Sequence, residues 1–222
     1  MSTPSTPIIV NASSSVTELL RRTQITCNAR YHAARRLAAH GSFSQWTLAL
    51  LAVGQIVISL VEPMGLNSNF KTGYVNFMNI FFGILVLAYS LLLGMANFSA
   101  RAVKMHGCGL ELGRLARQLV ELKNSGNNQT NSYDECTKEY YDILDKYENH
   151  TRTDYLTSHY EYYDGKTTEL SLSADWLAKR FKLEIVRFKL YVLHCLQFSH
   201  YAMSTLLISG WIYKLVRFPS WW

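Results

Sequence analysis

The sequence predicts an all-α membrane protein: a long two-helix transmembrane hairpin with a cytoplasmic helical extension, a small helical module behind it, and an apolar C-terminal helix. Three observations carry that prediction. Residues 41–61 and 72–100 hold no Asp, Glu, Lys or Arg, two runs of 21 and 29 positions. Crossing about 30 Å of hydrocarbon takes roughly 20 apolar residues at 1.5 Å each, so both runs qualify. Basic residues crowd the outer flanks of the pair, whereas the connecting loop carries only Glu62 and Lys71. Acidic and aromatic residues gather in one later segment, 133–169. Bulk composition decides nothing, since 49% hydrophobic is ordinary for a globular chain.

In chain order, "MSTPSTPIIVNASSS" (1–15) is polar and uncharged. It lacks the basic start and apolar stretch of a secretion signal, and it reads as a disordered N-terminus. Ser15 stands three residues before Glu18, a capping box that predicts a helix from Val16. No Pro follows until Pro63, so one helix can run through the arginines into the first span, 43–61, with Gly41-Ser42 as the expected bend. Pro63 and Gly65 end it, and the second span is expected at 75–97.

Arg21, Arg22, Arg30, Arg35 and Arg36 precede the first span against a single Glu18. Arg101, Lys104, Arg114, Arg117 and Lys123 follow the second. Lys and Arg mark the cytoplasmic flank, so the N-terminus is expected in the cytoplasm and the loop outside. Beside a span such arginines read as topology signals and anionic-lipid anchors; no direct nucleic-acid binding is expected.

Met105, Cys108, Leu112, Leu115, Leu119 and Leu122 recur at spacings of three and four, the seam of a helix pair. It can close the protomer against Leu19 and Leu20 or join subunits of a homo-oligomer. The hairpin as a whole is expected over 16–123. "NSGNNQTNS" (124–132) reads as a linker. Residues 133–169 then hold ten of the sixteen acidic residues and eight of the fourteen tyrosines. They open a cytoplasmic helical module, 133–189, with a turn at Asp164-Gly165, suited to dock on the basic hairpin base of its own or a neighbouring subunit. Residues 190–213 again lack Asp, Glu, Lys and Arg, but two His, a Gln and several Ser, Thr and Gly dilute their hydropathy. The segment 190–222 is expected to associate with the membrane, as a third span ending in an interfacial Trp221-Trp222 or as a packed or interfacial helix.

On the second span Asn76, Asn79, Gly83, Ser90, Gly94, Asn97 and Arg101 follow one helical stripe. Small and polar residues on an otherwise Phe, Ile, Leu and Val helix need water or close packing, so the stripe lines a pore or packs helices. Gln45, Gln55 and Ser59 on the first span could complement it. No carboxylate or Lys lies deep in either span, which disfavours proton-coupled transport. "GCGLELG" (107–113) lacks a strand and a Lys and is no phosphate loop; it permits close approach or bending. The four cysteines show no metal or disulfide spacing, and no cofactor is implied. His150 and Asp154, four apart near Glu148 and His159, are the one set a metal-dependent hydrolase could use. More often such residues are a structural network, and the chain is not read as an enzyme.

"CNARYHAARRLAAHGSFSQWTLALLAVGQIVISL" (27–60) resembles the start of the SLATT family, the SMODS- and SLOG-associating two-transmembrane effectors of bacteria. "EYYDILDKYENHTRTDY" (139–155), with Glu-Asn-His followed by Asp-Tyr, resembles the block after the spans in the branch found beside reverse transcriptases. The resemblance covers about 17–215. It implies an anti-phage effector that oligomerises in the bacterial inner membrane and permeabilises or depolarises it, arresting growth or killing the cell. It also implies a partner that senses infection, a reverse transcriptase or nucleotide-signalling protein. On it, Glu148, Asn149, His150, Asp154 and Tyr155 hold the module in register or meet that partner. The alternative is a membrane scaffold that recruits a defence partner through residues 133–189.

Overall fold

A computed structural model describes residues 12–61, 63–64, 72–125, 130–167 and 174–217. They form six helices: α1 (Ala12–Val61), α2 (Thr72–Ala96), α3 (Phe98–Ser125), α4 (Thr130–Lys146), α5 (Arg152–Thr167) and α6 (Ala174–Arg217). There is no strand among the described residues. Two stretches of them, Ser14–Leu60 and Gly73–Ser125, are long and apolar enough to cross a membrane. The expected all-α hairpin is therefore the fold. The chain divides into two compact units, one drawn from residues up to Arg36 and Arg101–Arg187, the other from Leu37–Ala100 and Phe188 onward.

The first unit has the polarity of a water-soluble bundle. Val16, Leu19, Leu20 and Cys27 of α1 meet Cys108, Leu112, Leu115 and Leu119 of α3 and Tyr140 and Ile143 of α4 in one core. The two long helices run antiparallel: the Cys27 thiol donates to the Gly109 carbonyl at 3.2 Å, and Arg30 reaches back to Met105. Gly109 is required there, because a Cβ would stand 2.8 Å from the Tyr31 ring. α5 joins through Ser158, whose hydroxyl donates to the Ile25 carbonyl at 2.6 Å.

The second unit reverses that polarity. Leu51, Ile58, Val75, Phe82 and Ile208 touch one another inside. Beside them His40, Ser44 and Thr47 are buried, while Trp46, Ile56, Phe77, Ile80, Leu87, Leu91 and Met95 face outward, Trp46 at 71% and Met95 at 83% exposure. In water such an apolar surface would be a liability; in hydrocarbon it is the required exterior. The hydroxyls inside need no water, since Ser44 and Thr47 donate to the Gly41 and Phe43 carbonyls of their own helix.

Several boundaries differ from expectation. α1 starts at Ala12, so Ser15 is not its cap, and Glu18 instead pairs with Arg21 and Arg22. Gly41-Ser42 does not interrupt α1; Gly41 allows contact with α3, a Cβ there meeting Ser99 at 3.4 Å. The break falls at Asn97, between α2 and α3, where φ is +44°. α5 runs through Asp164-Gly165, which occupy its last turns rather than a loop. The expected linker is shorter than 124–132, since α3 runs to Ser125 and α4 starts at Thr130; residues 126–129, with most of the N-terminal stretch and of the 62–71 loop and with Trp221 and Trp222, lie outside the described residues.

Candidate functional site

Two groups of residues are candidates, the first within one unit and the second, apart from Arg101, within the other. The first is the Glu-Asn-His-x-x-x-Asp-Tyr block. Thr151 and Asp154 start α5 as a capping box: the Thr151 amide donates to Asp154 Oδ2 at 3.1 Å, and the Asp154 amide returns to Thr151 Oγ1 at 3.4 Å. This leaves Asp154 aimed at α1, where Arg36 grips it in a fork, Nε to Oδ1 at 3.0 Å and Nη2 to Oδ2 at 2.8 Å. The Thr151 hydroxyl adds a bond of 2.6 Å. Burial pushes the Asp154 carboxyl up, but the Arg36 guanidinium and Thr151 outweigh it and hold the group below its ordinary value.

Nearly two turns earlier on α1, Arg30 is fully buried. Its Nη1 donates to the Glu148 carbonyl, and its Nη2 lies 3.4 Å from Asn149 Oδ1. The Glu148 carboxylate accepts in turn from Arg101 Nε at 3.0 and 3.1 Å. His150 stacks on Tyr155 at 5.9 Å, and its buried Nδ1 has no hydrogen-bond partner among the described residues. Burial pushes the His150 ring down, and the Arg30 charge adds to that, against a smaller opposing pull from Asp154. His32 reaches Glu161 at 2.7 Å. The acidic module thus docks on the arginine helix of its own chain.

That geometry reassigns two expected roles. Arg30 and Arg36 face the module rather than a lipid surface: its carbonyls accept from both Arg30 Nη groups and its carboxylate grips Arg36, while the buried Arg30 Nε has no hydrogen-bond partner among the described residues. Arg21 and Arg22 pair with Glu18, holding its carboxyl down at about 2. Arg35 alone of the five is exposed without a carboxylate partner among the described residues, and it contacts His32 at 3.1 Å. The leucine seam is likewise internal. Cys108, Leu112, Leu115 and Leu119 have no exposed surface and Leu122 packs beside them, so they close the protomer and cannot also face another subunit. Both Asp154 oxygens are engaged, Oδ1 by Arg36 and Oδ2 by Arg36 and Thr151. Among the described residues, no three His, Cys, Asp or Glu group together at metal distance.

The second group is the polar stripe, which the structure splits. Asn79 faces α1: the Gln55 amide donates to its carbonyl at 3.0 Å and to its side chain, and Ser59 donates to its Oδ1 at 3.0 Å. Gly83 lies next to Gln55. These are packing contacts within one hairpin. Asn76, Ser90, Gly94 and Asn97 instead face outward among apolar neighbours, and a Cβ on Gly94 would meet none of the described residues within 4 Å. Arg101 belongs to the Glu148 pair. Gln45 also faces outward and does not meet the stripe.

Sequence reasoning missed several participants. Thr151 carried a readable signal, the Ser/Thr-x-x-Asp spacing before a helix. Ser158, His32 and the pairing of His40 with Tyr201 at 3.2 Å carried none, since their partners lie more than 120 residues away.

The family described as "SMODS and SLOG-associating 2TM effector domain family 5" matches the chain over residues 12–203. No curated protein and no solved structure matches it.

Proposed function

The chain belongs to SMODS and SLOG-associating 2TM effector domain family 5 and is a membrane-associated, defence-related effector; from that premise we propose that it oligomerises in the bacterial inner membrane and permeabilises or depolarises it when a cytoplasmic trigger acts. The N-terminus and the module of residues 133–167 lie in the cytoplasm on this reading. The observation that carries it is the outward half of the stripe. Asn76 and Ser90 stand exposed on α2, and Asn97 directly after it, beside exposed apolar residues such as Phe77, Ile80, Leu87, Leu91 and Met95. A polar side chain facing hydrocarbon is unfavourable unless another helix or water meets it. Neighbouring copies of α2 supply both, packing at Gly94 in one arrangement and enclosing water in another. The trigger shifts the balance by binding the open arrangement more tightly.

Membrane potential in cells during controlled expression tests this. Collapse ahead of lysis is expected, and Ser90→Leu is expected to abolish it while the protein accumulates normally. Undiminished depolarisation by Ser90→Leu would remove the stripe from the mechanism.

A second reading is a scaffold that recruits its partner without opening the membrane. It is favoured by the outward tyrosines of the module, Tyr141, Tyr155 and Tyr163. Ion leakage from liposomes holding the purified protein separates the two: leakage supports the effector pore, and tight vesicles that still bind a partner support the scaffold.

A further inference from the structure

We propose that α6 is a third membrane-spanning helix, running in the same direction as α1, with its outward face against lipid acyl chains and its C-terminal end outside the cytoplasm. This rests on the membrane reading of α1 and α2 but goes beyond a two-span protein.

α6 is not among the helices apolar enough to cross by composition alone. Its geometry explains why composition misleads. The hydroxyls of Ser199, Ser204 and Thr205 each donate to a carbonyl of their own helix, those of Leu196, His200 and Tyr201, at 2.8 to 2.9 Å. Those polar groups are satisfied without water, the device α1 uses at Ser44, Thr47 and Ser59. The distribution of the remaining side chains is inverted as well. Tyr201 and Ile208 are buried and Gln197 half-buried, whereas Leu196, Met203, Leu206 and Leu207 stand 62–72% exposed. A helix lying on a soluble domain would hide those four residues.

Register supplies the direction. His40 stacks on Phe198 at 4.2 Å and bonds Tyr201, while Gly54 accepts Ile208 so closely that a Cβ would sit 3.0 Å from its Cγ2. Both helices climb together, from 40 to 54 on α1 and from about 200 to 208 on α6. α6 therefore enters the apolar layer beside Phe43, where α1 enters it. Its charge-free stretch, 190–213, rises about 36 Å at 1.5 Å per residue, enough to cross. Hydrocarbon is the occupant this face fits, because the exposed apolar surface of α6 continues that of α1 and α2 in the same unit.

Alkaline phosphatase, active only outside the cytoplasm, is fused to the full chain after Met64 in one strain and after Trp222 in another. Activity of the same order at both sites is expected. Activity after Met64 with none after Trp222 overturns the third span and leaves the hairpin intact. Silence at both sites overturns the hairpin topology and this proposal with it. Independently, Tyr213→Cys in a Cys195→Ser background is expected to react with a membrane-impermeant maleimide in intact cells. Labelling only after lysis overturns the proposal.

Discussion

Asp154 is where sequence and tertiary structure meet most tightly at the residue scale. One carboxylate caps α5 and neutralises a guanidinium from a helix 118 residues away. Breaking a buried pair by removing one charge leaves the other uncompensated, at a cost of about 3–5 kcal/mol. Asp154→Asn is therefore expected to lower the unfolding midpoint of the module, measured by thermal melting in detergent, and Arg36→Met/Asp154→Leu together to recover much of the loss. Asn97 makes a different demand, since a φ of +44° suits Asn and Gly and strains other side chains by about 1–3 kcal/mol. Asn97→Gly is expected to melt like the parent and Asn97→Leu below it. Equal melting of all three would mean the left-handed break carries no strain. Little of this was legible beforehand. The Thr151-to-Asp154 spacing was, because capping is local. Arg30 and Arg36 read as surface charges because nothing in a window around them announces Glu148 or Asp154.

Elements were easier to read than their partners. The three-four spacing from Met105 to Leu122 identified the buried face of α3, yet could not tell an internal core from a subunit contact, because both bury the same stripe. The break at Asn97 was hidden because an Asn on an apolar helix looks like any other member of a polar stripe. Gly41 misled in the opposite sense: a helix glycine can serve close approach as well as bending. The block from Glu148 to Tyr155 also has a definite acid response. Burial and the Arg30 charge hold folded His150 below the 6.5 of a free imidazole, so the unfolded segment binds a proton first as pH falls. Stability of the module is then lost below about that pH. Asp154 contributes above its ordinary 3.8 and loses its share at still lower pH. Hydrogen exchange of 148–161, corrected for intrinsic rates, is expected to show less protection at pH 5.5 than at pH 7.5. Unchanged protection would mean that His150 is solvated.

For the whole molecule, two units of opposite polarity are built from one continuous set of helices, and hydropathy read that division well where the runs were long and charge-free. On the proposed third span it scores α6 too low, because a scale counts a hydroxyl as polar whether or not its own helix satisfies it. The distance between Arg36 and Asp154 has a further consequence in time. At roughly 5–20 residues per second, Asp154 leaves the ribosome about ten seconds after Arg36. On the proposed orientation, the guanidinium has no carboxylate to hold it over that interval and can serve as a flanking charge of the kind that orients a hairpin entering a bilayer. Once the module is synthesised, the same side chain becomes an interior cross-brace. Topogenesis and tertiary structure can thus use one arginine in succession.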